Sequence, residues 1–210
     1  MTTPLNGSIT LGQAPGTVDE IVRIADGAPI ALEKAALDNM ARVSSRIQRA
    51  IEQGQVIYRL TTGVGDLVTT RLSPDRMTDT QLNMLRSHAC GVGPDLTVRE
   101  VRAMMAVTLK SLLQGYSGVT PALAQRIADM LNRQVTPWSP AGGSVGYLIA
   151  TAHIGLAVFG EGKCWYQGEL LPAQQALTRA GIPPYVPGPR EGHALVGGTY
   201  EITALGCLAV

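Results

Sequence analysis

The chain has 210 residues and a net charge of +1, with 45% hydrophobic and 16% charged residues. That balance is too apolar for disorder and too neutral to favour nucleic acid or an anionic membrane as a partner. No apolar run is long enough to span a bilayer, and Met1 to Asn6 lacks the basic and apolar regions of a signal peptide. Cys90, Cys164 and Cys207 are far apart and odd in number, the pattern of reduced thiols and a cytoplasmic protein. Aromatics make up 4%, with one Phe, so the core must be built from Leu, Ile, Val, Met and Ala, which suits close-packed helices.

In chain order, residues 1 to 15 read as a strand-like or irregular lead-in, and Thr17 to Ala25 as a short helix. Leu37, Met40, Val43, Ile47 and Ile51 recur at helical spacing within Ile30 to Gln53, and Gly54 ends that run. Gln55 to Arg71 breaks the pattern at Gly63 and Gly65 and reads as a purposeful loop. Thr80 to Cys90 is helical again, and Thr97 with Glu100 forms a capping box before Val101 to Gln114. Thr120-Pro121 starts a helix to Arg133, and Pro137 to Gly146 is a Pro- and Gly-rich loop. Leu148 to Phe159 is a buried helix, and Lys163 to Leu171 a small hairpin turning at Gln167-Gly168. Pro172 to Ala180 is helix, Ile182 to Pro189 an extended connector with four prolines, residues 192 to 198 a Gly-containing loop, and Thr199 to Val210 helix. There is no internal repeat.

The chemistry-bearing residues cluster in the loops. The three histidines and three cysteines lack metal-ligand spacing, which predicts no metal site. Gly142 to Gly146 lacks the Lys-Ser/Thr of a phosphate loop and a preceding strand, which predicts no nucleotide.

Tyr58-Arg-Leu-Thr-Thr-Gly-Val-Gly65 is similar to Tyr-Gly-Val-Asn-Thr-Gly-Phe-Gly of the aromatic amino acid ammonia-lyases and aminomutases. Leu85 to Gly93 resembles that family's Arg-Ser-His-Ala-x-Gly-x-Gly block. Pro137 to Gly162 follows its Gly-Ser-Val-Gly, Ala-His and Gly-Glu-Gly pattern, and Arg190 to Thr199 its Lys-Glu-Gly-Leu-Ala-Leu-x-Asn-Gly-Thr block. Four blocks in order across most of the chain make a specific resemblance.

The resemblance implies a mainly α, ammonia-lyase-like fold. An N-terminal helical domain would lead into a long central helix bundle, with a few short strands. Residues 1–210 would be the N-terminal part, with active-site loops at 58–65, 86–93, 140–147 and 190–199. The C-terminal part would be missing or on another chain, and a tetramer-like homo-oligomer would complete the site.

The implied activity is elimination of ammonia from an aromatic or histidine-like α-amino acid, giving an α,β-unsaturated acid. A 2,3-aminomutase and a catalytically inactive subunit or scaffold are the alternatives. Tyr58 is the implied base, a role that needs a phenol pKa lowered from near 10. Thr61, Gly65, Leu85, His88 and Gly197 are the implied substrate-binding residues. A polar His88 suits an imidazole or phenol better than a bare phenyl, which would leave it unpaired. His153 matches a structural histidine, and His193 stands where the family has Leu.

The implied cofactor is 4-methylideneimidazole-5-one, formed autocatalytically from an Ala-Ser-Gly tripeptide. Here Gly143-Ser-Val-Gly146 runs directly into Tyr147-Leu148, so that tripeptide is absent between Gly146 and Tyr147, with Ser144, Gly146 and Tyr147 as its flanks. A modified residue omitted from the one-letter sequence is the favoured expectation; a true deletion is the other. Thr61, Tyr147 and Gly197 replace Asn, Asp and Asn of the family pattern, and Val64 replaces Phe.

Overall fold

A computed structural model describes residues 7–57, 62 and 74–210, excepting the side chains of residues 74–77. Two strands open it: β1 (Ile9–Leu11) pairs in parallel with β2 (Ile30–Leu32), register Ile9 to Ile30. The Asn132 side chain extends this ladder, accepting from Ile30 N at 2.8 Å and donating to its carbonyl at 3.0 Å. Between the strands lies α1 (Val18–Ala25), started by a reciprocal capping box of Thr17 and Glu20. The periodic run expected to be helical from Ile30 begins later. Residues 30–32 are taken by strand pairing, and α2 covers Lys34–Glu52, stopping where Gly54 adopts φ +68°.

α3 (Pro74–His88) starts earlier than the sequence suggests, because a Pro at the first helical position is well tolerated. β3 (Val92–Asp95), absent from the expected elements, follows. α4 (Val98–Leu112) is capped by Thr97 and Glu100 as expected. Its Val101, Met104, Met105, Ala106, Leu109 and Leu112 are buried on all sides, which makes it the central helix. It packs against α1, α5 (Pro121–Asn132) and α9 (Tyr200–Ala209).

Arg102 is 2% exposed in this core, and its guanidinium donates to the carbonyls of Ile24, Ala25 and Leu131 at 2.9–3.2 Å. It thereby ties together the carboxyl ends of α1 and α5, where helix carbonyls otherwise lack partners.

β4 (Thr136–Pro137), β6 (Lys163–Tyr166) and β7 (Glu169–Pro172) form an antiparallel sheet, and β5 (Pro140–Gly142) pairs with β3. The β6–β7 hairpin turns at Gln167-Gly168, both at positive φ, as expected. α6 (Ile149–Val158) is buried, α7 (Ala173–Arg179) follows the hairpin, and the connector at 182–189 has no regular structure. The expected loop at 192–198 is instead a short helix, α8 (Glu191–Val196).

Buried Glu191 anchors α8. Its carboxylate accepts from Thr120 N, Thr120 Oγ1, Tyr185 OH and Gly188 N at 2.7–3.1 Å. α3, α6 and α8 pack on one another as a second group of helices. No helix among the described residues is long and apolar enough to cross a membrane.

Candidate active site

The second helix group holds a cleft of about 230 Å³ lined by Met84, His88, Tyr147, Leu148, His193, Val196 and Gly197. Met84 and His88 lie one turn apart on α3, so their side chains share a face. His193, Val196 and Gly197 come from the end of α8 at the same spacing. Two glycines bring the walls together. A Cβ on Gly192 would sit 2.5 Å from the Gln81 carbonyl oxygen of α3, and one on Gly155 of α6 would sit 2.8 Å from a Leu85 methyl.

His88 Nδ1 lies 2.8 Å from the Met84 carbonyl oxygen and 3.0 Å from Ser87 Oγ. A carbonyl oxygen only accepts, so Nδ1 carries a hydrogen toward Met84 and Nε2 is left as the ring nitrogen outside that contact. His193 Nδ1 sits 2.9 Å from Met84 Sδ, and its backbone N donates to Gln81 Oε1 at 3.1 Å.

The third wall is the loop leading into α6. Ser144 Oγ is 2.6 Å from Glu201 Oε2 and 2.9 Å from the Tyr147 carbonyl, and accepts from Gly146 N at 3.1 Å. Glu201 is 5% exposed on α9, and the next residue, Ile202, donates its N–H to the Gly146 carbonyl at 3.2 Å. Leu148 sits at φ +73°, ψ −60°, and Ile149 N donates to the Tyr147 carbonyl at 3.0 Å across it. That is a γ-turn of the rare positive-φ sense. A leucine held there costs on the order of 1–3 kcal/mol, which the surrounding hydrogen bonds sustain.

Among the residues implied by the resemblance, His88, Tyr147 and Gly197 meet in this cleft, with Ser144 and Gly146 behind Tyr147. Leu85 does not join them. It is fully buried against Gly155 in the core, on the flank of α3 beside the cleft. Tyr58, Thr61 and Gly65 lie outside the described residues; their neighbour Thr62 is buried.

His153 is structural in its contacts: Nε2 accepts from Gly91 N at 3.2 Å, and the ring meets Trp138 edge-on at 5.6 Å. Burial holds its pKa below the ordinary histidine value.

Sequence reasoning did not reach Met84, Leu148, Val196 or Glu201. Met84 was findable as the residue four before His88, and Glu201 as the lone charge in an apolar helix, which needs a partner. Among the described residues no group of three or more His, Cys, Asp or Glu could hold a metal.

The pattern of the family described as aromatic amino acid lyase matches residues 17–210. Histidine ammonia-lyase of Geobacillus thermodenitrificans is 39% identical over 197 residues, covering 92% of this chain and 39% of that enzyme. That of Sorangium cellulosum is 39% identical over 199 residues, covering 92% of this chain and 38% of its own length. The tyrosine aminomutase structure from Streptomyces globisporus superposes with a TM-score of 0.91 at 31% identity, over 96% of this chain and 39% of that one. The histidine ammonia-lyase structure from Trypanosoma cruzi superposes with a TM-score of 0.90 at 29% identity, over 97% and 40%. The chain belongs to the aromatic amino acid lyase family, in its helical fold, and corresponds to the N-terminal portion. It spans about two-fifths of the length of these relatives.

The residues present do not fit the family's prosthetic group. No Ala-Ser-Gly triplet occurs in the 210 residues. Where it would stand, Gly146 is bonded directly to Tyr147, and the carbonyls of both are engaged by Ile202 N and by Ile149 N.

Proposed function

We propose that the protein to which this chain belongs acts on the carbon–nitrogen bond of an α-amino acid bearing an imidazole or phenol ring. The reaction is ammonia elimination or migration of the amine to the β carbon. The observation that carries this is the cleft, where the His88 imidazole lies among Met84, Tyr147, His193 and Gly197. An imidazole or phenol would offer the His88 side chain a polar partner, whereas a bare phenyl would leave it unpaired, which supports that ring class. At about 230 Å³ the cleft suits one ring rather than a larger ligand.

Elimination moves a β proton to a base and the C–N electron pair out with ammonia, and Tyr58 is the base implied by the resemblance. A poor leaving group needs an electrophile, which 4-methylideneimidazole-5-one supplies in family members. A tetramer-like assembly, or a complementary C-terminal chain, would contribute the remaining substrate contacts.

A second reading is favoured by one observation, the direct Gly146–Tyr147 bond. In it the protein is a catalytically silent relative that retains the fold and the ring cleft.

Intact mass of the purified protein, followed by assay for ammonia and an unsaturated acid with L-histidine, L-tyrosine and L-phenylalanine, separates the two. An excess equal to Ala-Ser-Gly less two waters, with turnover of the histidine or tyrosine substrate above phenylalanine, supports the enzyme. A mass equal to the written sequence, with neither elimination nor amine migration, sinks it and leaves the silent relative.

A further inference from the structure

The Gly143–Leu148 loop is braced far more than a connector requires. Ser144 Oγ lies within hydrogen-bond distance of Glu201 Oε2, the Tyr147 carbonyl and Gly146 N. The carboxylate side is itself fixed, since Glu201 is buried in α9. Ile202 N holds the Gly146 carbonyl, and the Ile202 side chain packs where a Gly146 Cβ would be, 3.1 Å away. All of this supports a γ-turn at Leu148 in a backbone region that a leucine rarely adopts. Strain held in place by its surroundings is a mark of a functional position.

The turn sets the direction of one side chain, that of Tyr147. Its ring lines the cleft opposite the face of α3 that carries Met84 and His88, and it is 40% exposed there. A thioether, imidazoles and a phenol around a single-ring volume form a wall set suited to a flat ring.

We infer that Tyr147, the residue that follows Gly146, is the ring-contacting, specificity-determining wall of this cleft. The inference rests on the cleft being the ring-binding site. The contact is made by the face of the Tyr147 ring, so the hydroxyl contributes less than the ring itself.

The test uses the purified protein after its intact mass has been measured. Calorimetric titration with L-histidine and with L-tyrosine is compared across the parent, Tyr147→Ala, Tyr147→Phe and His88→Ala, each checked for folding by circular dichroism. Tyr147 is half-exposed, so its truncation leaves the core intact. The expected result is that binding weakens at least tenfold in Tyr147→Ala, stays within about threefold in Tyr147→Phe, and weakens in His88→Ala. If His88→Ala weakens binding and Tyr147→Ala does not, the role of Tyr147 is overturned while the cleft stands. If neither changes binding, the cleft is not the site and both ideas fall.

Discussion

Gly192 is the point where the α8 backbone rests on α3, and Gly192→Ala is the sharpest test of how the cleft walls are held. The added Cβ would lie 2.5 Å from the Gln81 carbonyl oxygen, 2.9 Å from its carbon and 3.0 Å from the Gln81 Cβ. A carbon meets a carbonyl oxygen comfortably at about 3.3 Å, so α8 must retreat by about 0.8 Å. None of these atoms can swing aside, because two are backbone and the third is a Cβ.

Two effects compete. Alanine is favoured over glycine inside a helix by about 1 kcal/mol. Overpacking a tight contact costs about 1–3 kcal/mol. Loss of the His193 N to Gln81 Oε1 hydrogen bond as α8 moves adds about 1 kcal/mol. The net expectation is destabilisation by about 1–3 kcal/mol, read as a lower urea midpoint at unchanged slope. Ring affinity should fall with it, because His193 moves away from Met84.

Gly206→Ala is the control for propensity alone. Gly206 is exposed in α9 with open space where a Cβ would go, and should gain up to about 1 kcal/mol. A Gly192→Ala protein as stable as the parent, with ring binding intact, would refute the close approach of α3 and α8.

Two further outcomes concern the buried polar groups. Arg102→Met keeps the volume but removes the donors to Ile24, Ala25 and Leu131, and should cost about 3 kcal/mol in a denaturant titration; a loss below about 1 kcal/mol would mean the buried charge costs nearly as much as its bonds return. His153 has a folded pKa depressed by burial, so the unfolded chain binds more protons in the window below about 6.5. Stability should be complete above that pH, fall as pH drops through the window, and level off below the folded value. His153→Gln should lack this segment of the pH–stability curve, and an unchanged curve would refute the assignment.

Local signals in the sequence were read well where neighbouring residues make the contacts. The capping box at Thr97, the Pro121 start and the Gln167-Gly168 turn all form as expected, because each is settled within four residues. α2 starts later than its helical pattern predicts because strand pairing between Ile9 and Ile30, residues far apart in the chain, outcompetes that pattern. The glycines of α8 look like turn residues and predict a loop there. What holds it as a helix is Glu191 bound to Thr120, Tyr185 and Gly188.

The candidate site divides in the same way. The block order and the missing tripeptide are properties of the string, so the family and the Gly146–Tyr147 junction were legible without coordinates, and His88 came with them. The partners of His88 were not. That Leu85 points into the core while Met84 shares the cleft depends on which face of α3 meets α6 and α8. That Glu201 braces Ser144 depends on α9 passing behind the loop. Most of the helices, the Thr97 cap and the residue types available for chemistry follow from neighbours along the chain. That His88, His193 and Tyr147 line one cleft rests instead on close backbone approach at Gly155 and Gly192, between elements that no local pattern relates.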